Sequence, residues 1–233
     1  MNQLPNDLKI GSLLGKRRPV IKLSPNFRSL AGDACERTLM DKSKILPWSK
    51  FTFNNIVNAY GDILEQVVSS KPPDEVPEID CENHCMMVKM CYKSFHIPTA
   101  ISSAISLGKY ILRPRLGTDT NLACAEAREL SKGLPKHAQR LDFGDEDHVQ
   151  VFYDPKKNSW HPFLATSLTV PSCTWESGSL VTANRDKQPK LGPIEQLAAC
   201  AKKTNTCFSF ILGDKDIVVL QFFKTETGGM GVY

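Results

Sequence analysis

The stretch "GPIEQLAACAKKTNTCFSFILGDKDIVVLQFF", residues 192 to 223, decides how the chain is read. Pro193 follows Gly192, polar Gln196 sits in the opening turn, and small residues run through to Ala201. That pattern predicts a helix from about Gly192 to Lys203. "CFSFILG" and "DIVVLQFF" are apolar, β-branched and aromatic, and "GDKD" between them is turn chemistry. A helix therefore leads into a buried hairpin. Gln196 has two readings: it faces a cleft beside the helix, or it hydrogen-bonds a nearby loop.

Working outward, "HVQVFYD" alternates with period two, "DPKKN" reads as a turn, and "WHPFLATSLTV" reads as a second strand. "SLV", Ser179 to Val181, is a short candidate third strand. Ahead of these the pattern is helical. Phe53, Ile56, Tyr60, Ile63, Leu64 and Val67 recur at steps of three and four, predicting a helix over 51–68 that Pro72 and Pro73 stop. Cys81, His84, Cys85, Cys91 and His96 are potential zinc ligands. However, Cys81, Cys85, Val88, Tyr92 and Phe95 fall on one helical stripe, no C-x-x-C pair occurs, and core packing is the stronger reading. A short helix is expected from Pro98 to about Leu112. "TNLACAEARELSKGLP" is expected to be another, capped by Thr120 or Asn121 and closed by Gly133. Asp142, Asp145, Glu146 and Asp147 lack the alternating spacing of a calcium loop and read as a solvated acidic loop.

The expected order is helices, three strands, helix, two strands, an α/β (α+β) chain. Residues 1–48 read as a flexible basic extension and 49–233 as a single domain, with 49–143 mainly helical and 144–233 the sheet core. Charge follows that division. Residues 1–50 hold ten Lys/Arg against four Asp/Glu, a balance of +6, and the other 183 hold nineteen against twenty-one, a balance of −2. Nucleic-acid binding through the body of the protein would need a local basic patch, because phosphate neutralisation supplies most of such affinity. Lys16, Arg17 and Arg18 form a basic triplet of the kind solvated tails carry, with nuclear import or phosphate contact as the alternative. No window approaches eighteen apolar residues and the first residues lack a signal-peptide core, so the expected location is intracellular, in cytoplasm or nucleus, with reduced cysteines and no membrane partner.

Over residues 192–223 the chain resembles the PD-(D/E)XK nuclease-like proteins found widely in filamentous fungi. There an acid-x-Lys strand leads through a "GP-x-x-Q" helix into a "T-R-Y-x-F-I-L-T-D-x-E-L-V-V-L-R-F" hairpin. Gly192, Pro193, Gln196, Thr206, Phe210, Ile211, Leu212, Asp214, Val218, Val219, Leu220 and Phe222 match, while Cys200, Cys207 and Phe208 depart. The resemblance implies a restriction-endonuclease-like αβββαβ core and Mg²⁺-dependent phosphodiester cleavage, in which two strand carboxylates hold the metal and a lysine orients water. Counting back from the helix, the acid-x-Lys position falls on Ala183 and Arg185, and the upstream acid on Phe163. None of these ligates Mg²⁺, and an arginine is no proton acceptor near neutral pH.

The expectation is therefore a degenerate, non-catalytic protein without a cofactor, a binding or interaction module for nucleic acid or another protein. Arg185, Lys187, Lys190 and Gln196 are its candidate contacts. Two alternatives stand beside it. One is an active Mg²⁺ nuclease using displaced acids, with Asp154 and Glu176 as candidates. The other is an accessory protein of a fungal secondary-metabolite pathway with no nucleic-acid role.

Overall fold

The computed structural model describes residues 7–9, 11–12, 37–40, 42–65, 67–69, 88, 123–126, 149–153, 163–181 and 190–233. The expectations placed on Lys16 to Arg18, on Pro98 to Leu112, on Asp142 to Asp147, and on Cys81 to His96 apart from buried Val88, lie outside those residues. By contacts the chain divides into two units. Met1–Leu23 with Ser49–Thr120 form the first, and Ser24–Trp48 with Asn121–Tyr233 form the second. No helix among the described residues is long and apolar enough to cross a membrane.

In the first unit, β1 (Asp7–Lys9) pairs antiparallel with β2 (Val67–Ser69), Leu8 opposite Val68. Helix α1 (Phe53–Leu64) starts where Thr52 accepts the Asn55 N–H at 3.2 Å, an N-cap that fills one orphan donor of the first turn. The expected helix over 51–68 is thus shorter. Val67, read as part of its stripe, lies in β2, so backbone pairing with β1 overrides the helical period there.

The second unit is built on a six-stranded mixed sheet in the order β3-β4-β5-β6-β7-β8, with helices, an α/β arrangement. The strands are β3 (Ala123–Glu126), β4 (Val149–Tyr153), β5 (Phe163–Thr169), β6 (Phe208–Leu212), β7 (Ile217–Lys224) and β8 (Met230–Val232). Neighbours are antiparallel except β5 and β6, which run parallel with Thr166 opposite Ser209 and Leu168 opposite Ile211. A parallel pair needs a crossover, and α3 (Gly192–Thr204) lies in that connection.

Two expected elements change type. "ACAE" is strand β3 rather than helix: its residues favour helix intrinsically, but pairing with β4 decides. "SLV" is not a strand, because Leu180 donates to the Ser177 carbonyl at 2.9 Å and the segment closes as the short helix α2 (Gly178–Val181). Among the described residues of the second unit, the strands before α3 are β3, β4 and β5.

Residues 192–223 fold as their pattern predicts. In α3, Pro193 and Glu195 occupy the first turn and Lys202 and Lys203 the last, matching the helix dipole. Asn205 ends it in the left-handed region (φ 51°, ψ 40°), which asparagine tolerates better than most residues. The helix packs on the sheet through Ile194, Leu197, Ala198 and Ala201, against Val151, Leu168, Ile211 and Leu220. Its small side chains permit the close approach. In the β6–β7 turn, Gly213 donates to the Asp216 carbonyl at 2.9 Å. A Cβ at Gly213 would sit 2.9 Å from Asp216 Oδ1 and 3.0 Å from its carbonyl oxygen, so the turn requires glycine.

The residues before the sheet are not all a loose extension. Met40 is buried in the core of the second unit, and Ile45 packs against that core and bridges Val232 in parallel.

Candidate functional site

In an α/β sheet the carboxyl ends of parallel strands, together with the amino end of the crossover helix, form the customary ligand-binding rim. Here that rim comprises the loop after β5, the β6–β7 turn and the start of α3. The loop 170–177 and the turn 213–216 are interlocked. The Asp214 carboxylate accepts the Ser172 N–H at 2.6 Å and the Ser172 hydroxyl at 2.7 Å. Ser177 donates its hydroxyl to Asp216. Lys215 pairs with Glu176 at 2.7 Å. The same loop is tied to α3 by buried Trp175, whose Nε1 donates to the Lys190 carbonyl at 2.7 Å.

These contacts set the local electrostatics. The hydrogen bond and charge of Glu176 raise the Lys215 pKa. Partial burial raises the Cys173 thiol, and the nearby Asp214 carboxylate raises it further. Asp214, Asp216 and Glu176 each have a partner within the interlock. Across the rim, a Cβ on Gly192 would stand 3.8 Å from Arg37 Cζ and Nη1, so that guanidinium lies against the first residue of α3. Arg37 and Lys190 are exposed and, among the described residues, form no ion pair.

The sequence-derived candidates distribute unevenly over this rim. Lys190 and Gln196 flank the first turn of α3, Gln196 half-buried. Glu176 is on the rim but exposed and held by Lys215. Phe163 opens β5 at the other end of the strand, buried in the core. The β4–β5 register shifts between Phe152 and Tyr153, which sets Phe163 opposite Tyr153. Asp154, Ala183, Arg185 and Lys187 lie outside the described residues. The first residues of the segment expected to be the acid-x-Lys strand, 179–181, lie in α2, and among the described residues the last strand before α3 is β5, "FLATSLT".

Mg²⁺ does not fit the described residues. β4, β5 and β6 carry no Asp, Glu or Lys, and no group of three metal-ligating side chains occurs among the described residues. In place of charges, the parallel pair holds buried hydroxyls: Thr166 Oγ1 and Ser209 Oγ are 2.6 Å apart, and Ser167 Oγ is buried with no hydrogen-bond partner. Arg37 and the serine–aspartate links were not foreseen, because nothing near residue 37 or in "PSCTWES" marks a partner so distant along the chain. The acidic "GDKD" turn was their one visible signal. No family model, curated protein or solved structure matches the chain.

Proposed function

We propose that the chain is a degenerate PD-(D/E)XK nuclease-like protein that does not cleave phosphodiesters and serves as a binding module, with nucleic acid as the partner. The observation that carries the reading is β5. It is the strand leading toward the "GP-x-x-Q" helix, where the resemblance calls for acid-x-Lys, and its sequence FLATSLT has neither in any register. The order β3-β4-β5-α3-β6, with only the last pair parallel, supports the finer αβββαβ reading. Arg37 and Lys190 beside the first turn of α3 support an anionic partner, since exposed cations at a positive helix end favour phosphate. Gln196 offers an amide that donates and accepts next to them.

Two measurements on the full chain test this. Plasmid DNA, linear DNA and RNA incubated with Mg²⁺ or Mn²⁺ should remain intact. Cleavage that disappears in Glu176→Ala or Asp154→Ala would establish the displaced-acid enzyme instead. Fluorescence anisotropy with labelled DNA should show salt-dependent binding. Lys190→Ala should weaken it and flatten the salt slope by about 0.9 for each phosphate the variant no longer neutralises. A slope unchanged by both Lys190→Ala and Arg37→Ala removes this rim from the interface.

A further inference from the structure

Helix α3 begins without the usual capping side chain. Its N-cap position is Leu191, which is buried and makes no side-chain bond to the first turn. The Glu195 N–H donates to the Leu191 carbonyl at 2.9 Å, so the Lys190 carbonyl lies one residue outside the helical ladder. Its donor comes from the loop after β5, where the Trp175 indole N–H reaches it at 2.7 Å. Trp175 is 6% exposed and shares the core with Leu191 and Ile194. A buried indole N–H needs an acceptor, and here it takes the carbonyl of the residue that carries an exposed cation of the rim.

The loop that holds the indole is itself fixed at several places. The Val170 N–H donates to the Leu212 carbonyl at 2.9 Å, where β5 and β6 end. The Pro171 carbonyl accepts the Thr174 N–H at 2.9 Å, the Thr174 hydroxyl at 2.8 Å and the Trp175 N–H at 3.2 Å, which closes the chain into one turn. Asp214 holds Ser172 from the β6–β7 turn. We propose that Trp175 is the positioning residue of the rim, setting the backbone from which Lys190 reaches a phosphate. This inference rests on the nucleic-acid reading above and names what in the fold holds its lysine. A lysine side chain is a flexible stem, and the backbone fixes only its root. With the Lys190 carbonyl bound to a buried indole, the entry to α3 keeps one direction, and less freedom is lost when a phosphate is held. Trp175 is buried and acts through Lys190, not on the nucleic acid itself.

Trp175→Phe keeps an aromatic ring in the core and removes the indole N–H. Benzothienylalanine incorporated at the same position has the shape of the indole with sulfur in place of N–H, and removes the donor while keeping the packing. For both chains, hydrogen exchange without nucleic acid should show the Glu195 amide about tenfold faster than in wild type, with the amides of Ala199 and Ala201 unchanged. Anisotropy with labelled DNA should show affinity falling about three- to tenfold. Trp175→Phe combined with Lys190→Ala should bind no more weakly than Lys190→Ala alone, because the anchor matters only through that lysine. Glu195 exchange at the wild-type rate in both substituted chains overturns the proposal. Losses from Trp175→Phe and Lys190→Ala that multiply overturn it as well, since a merely structural tryptophan gives that result. A wild-type chain that does not bind DNA overturns the nucleic-acid reading and the part of Trp175 in it. Accelerated Glu195 exchange in the substituted chains then separates that failure from a failure of the anchor.

Discussion

The parallel pairing of β5 with β6 can be broken and restored through two hydroxyls. Thr166 and Ser209 are opposite one another across the pair, both fully buried, with their oxygens 2.6 Å apart. Ser209→Ala leaves the Thr166 hydroxyl in the core without its partner, and Thr166→Val, close to isosteric, does the converse to Ser209. Leaving one buried hydroxyl unsatisfied costs about 1–3 kcal/mol, whereas replacing both partners by apolar groups of similar shape is close to neutral. Each single variant should therefore lose about 2 kcal/mol, or roughly 4–8 °C in Tm for a domain of this size. The double variant should lose no more than either single one, a coupling of about 2 kcal/mol. Urea denaturation followed by far-UV circular dichroism reads the four stabilities, provided the m-values agree. Additivity within about 0.5 kcal/mol would refute the reasoning, because independent sites add to that precision and hydroxyls in contact do not. A register slipped by one residue would set Thr166 opposite a phenylalanine and abolish the coupling.

Two further outcomes follow from local packing and charge. A Cβ at Gly231 would lie within 2.6 Å of the Phe223 ring, which also meets the Tyr233 ring at 4.6 Å. Gly231→Ala should thus cost about 1–2 kcal/mol by displacing the ring, and the cost should largely vanish in a Phe223→Ala background, read by the same denaturation assay. Cys173 is held above its ordinary thiol pKa by burial and by Asp214, so it carries less thiolate at pH 8. Removing the charge with Asp214→Asn should speed alkylation of Cys173 by iodoacetamide at that pH, measured by mass spectrometry, and an unchanged rate would show that the carboxylate does not act on the thiol.

What was legible in the sequence was local. From residue 192 to 223 each signal acts within a few positions: Pro193 at a helix start, the closing lysines, Gly213 in a tight turn. The alternation of β4 was equally readable, and β5 lay within the stretch read as the second strand. What failed depended on distant partners. "ACAE" has helical propensity and becomes a strand only because β4 is beside it, and Val67 leaves its helical stripe to pair with Lys9. The basic composition of residues 1–48 suggested solvation throughout. Met40, Ile45 and Trp48 are isolated apolar residues with no period, and their place in the second unit is set by α3, β6 and β8, far along the chain. The motif placement on Ala183 and Arg185 rested on reading "SLV" as a strand. Residues 179–181 lie in helix α2, and among the described residues the last strand before α3 is β5.

The character of the rim follows from how its acids are used. Asp214, Asp216 and Glu176 together would give the carboxyl end of the parallel strands a negative face hostile to phosphate. Each is instead held by a neighbour: Ser172 satisfies both oxygens of Asp214, Ser177 donates to Asp216, and Lys215 neutralises Glu176. The serine links leave the charge on Asp214 and Asp216 but turn it inward against the loop after β5, while the lysine link cancels Glu176 at the surface. At the start of α3 stand the exposed cations Arg37 and Lys190, together with Glu195 in the first turn of the helix. The interlock that joins the β6–β7 turn to the loop after β5 therefore also holds three acids of the rim. β5 and its parallel partner β6 carry hydroxyls and apolar residues where strand carboxylates would be needed to hold a divalent cation.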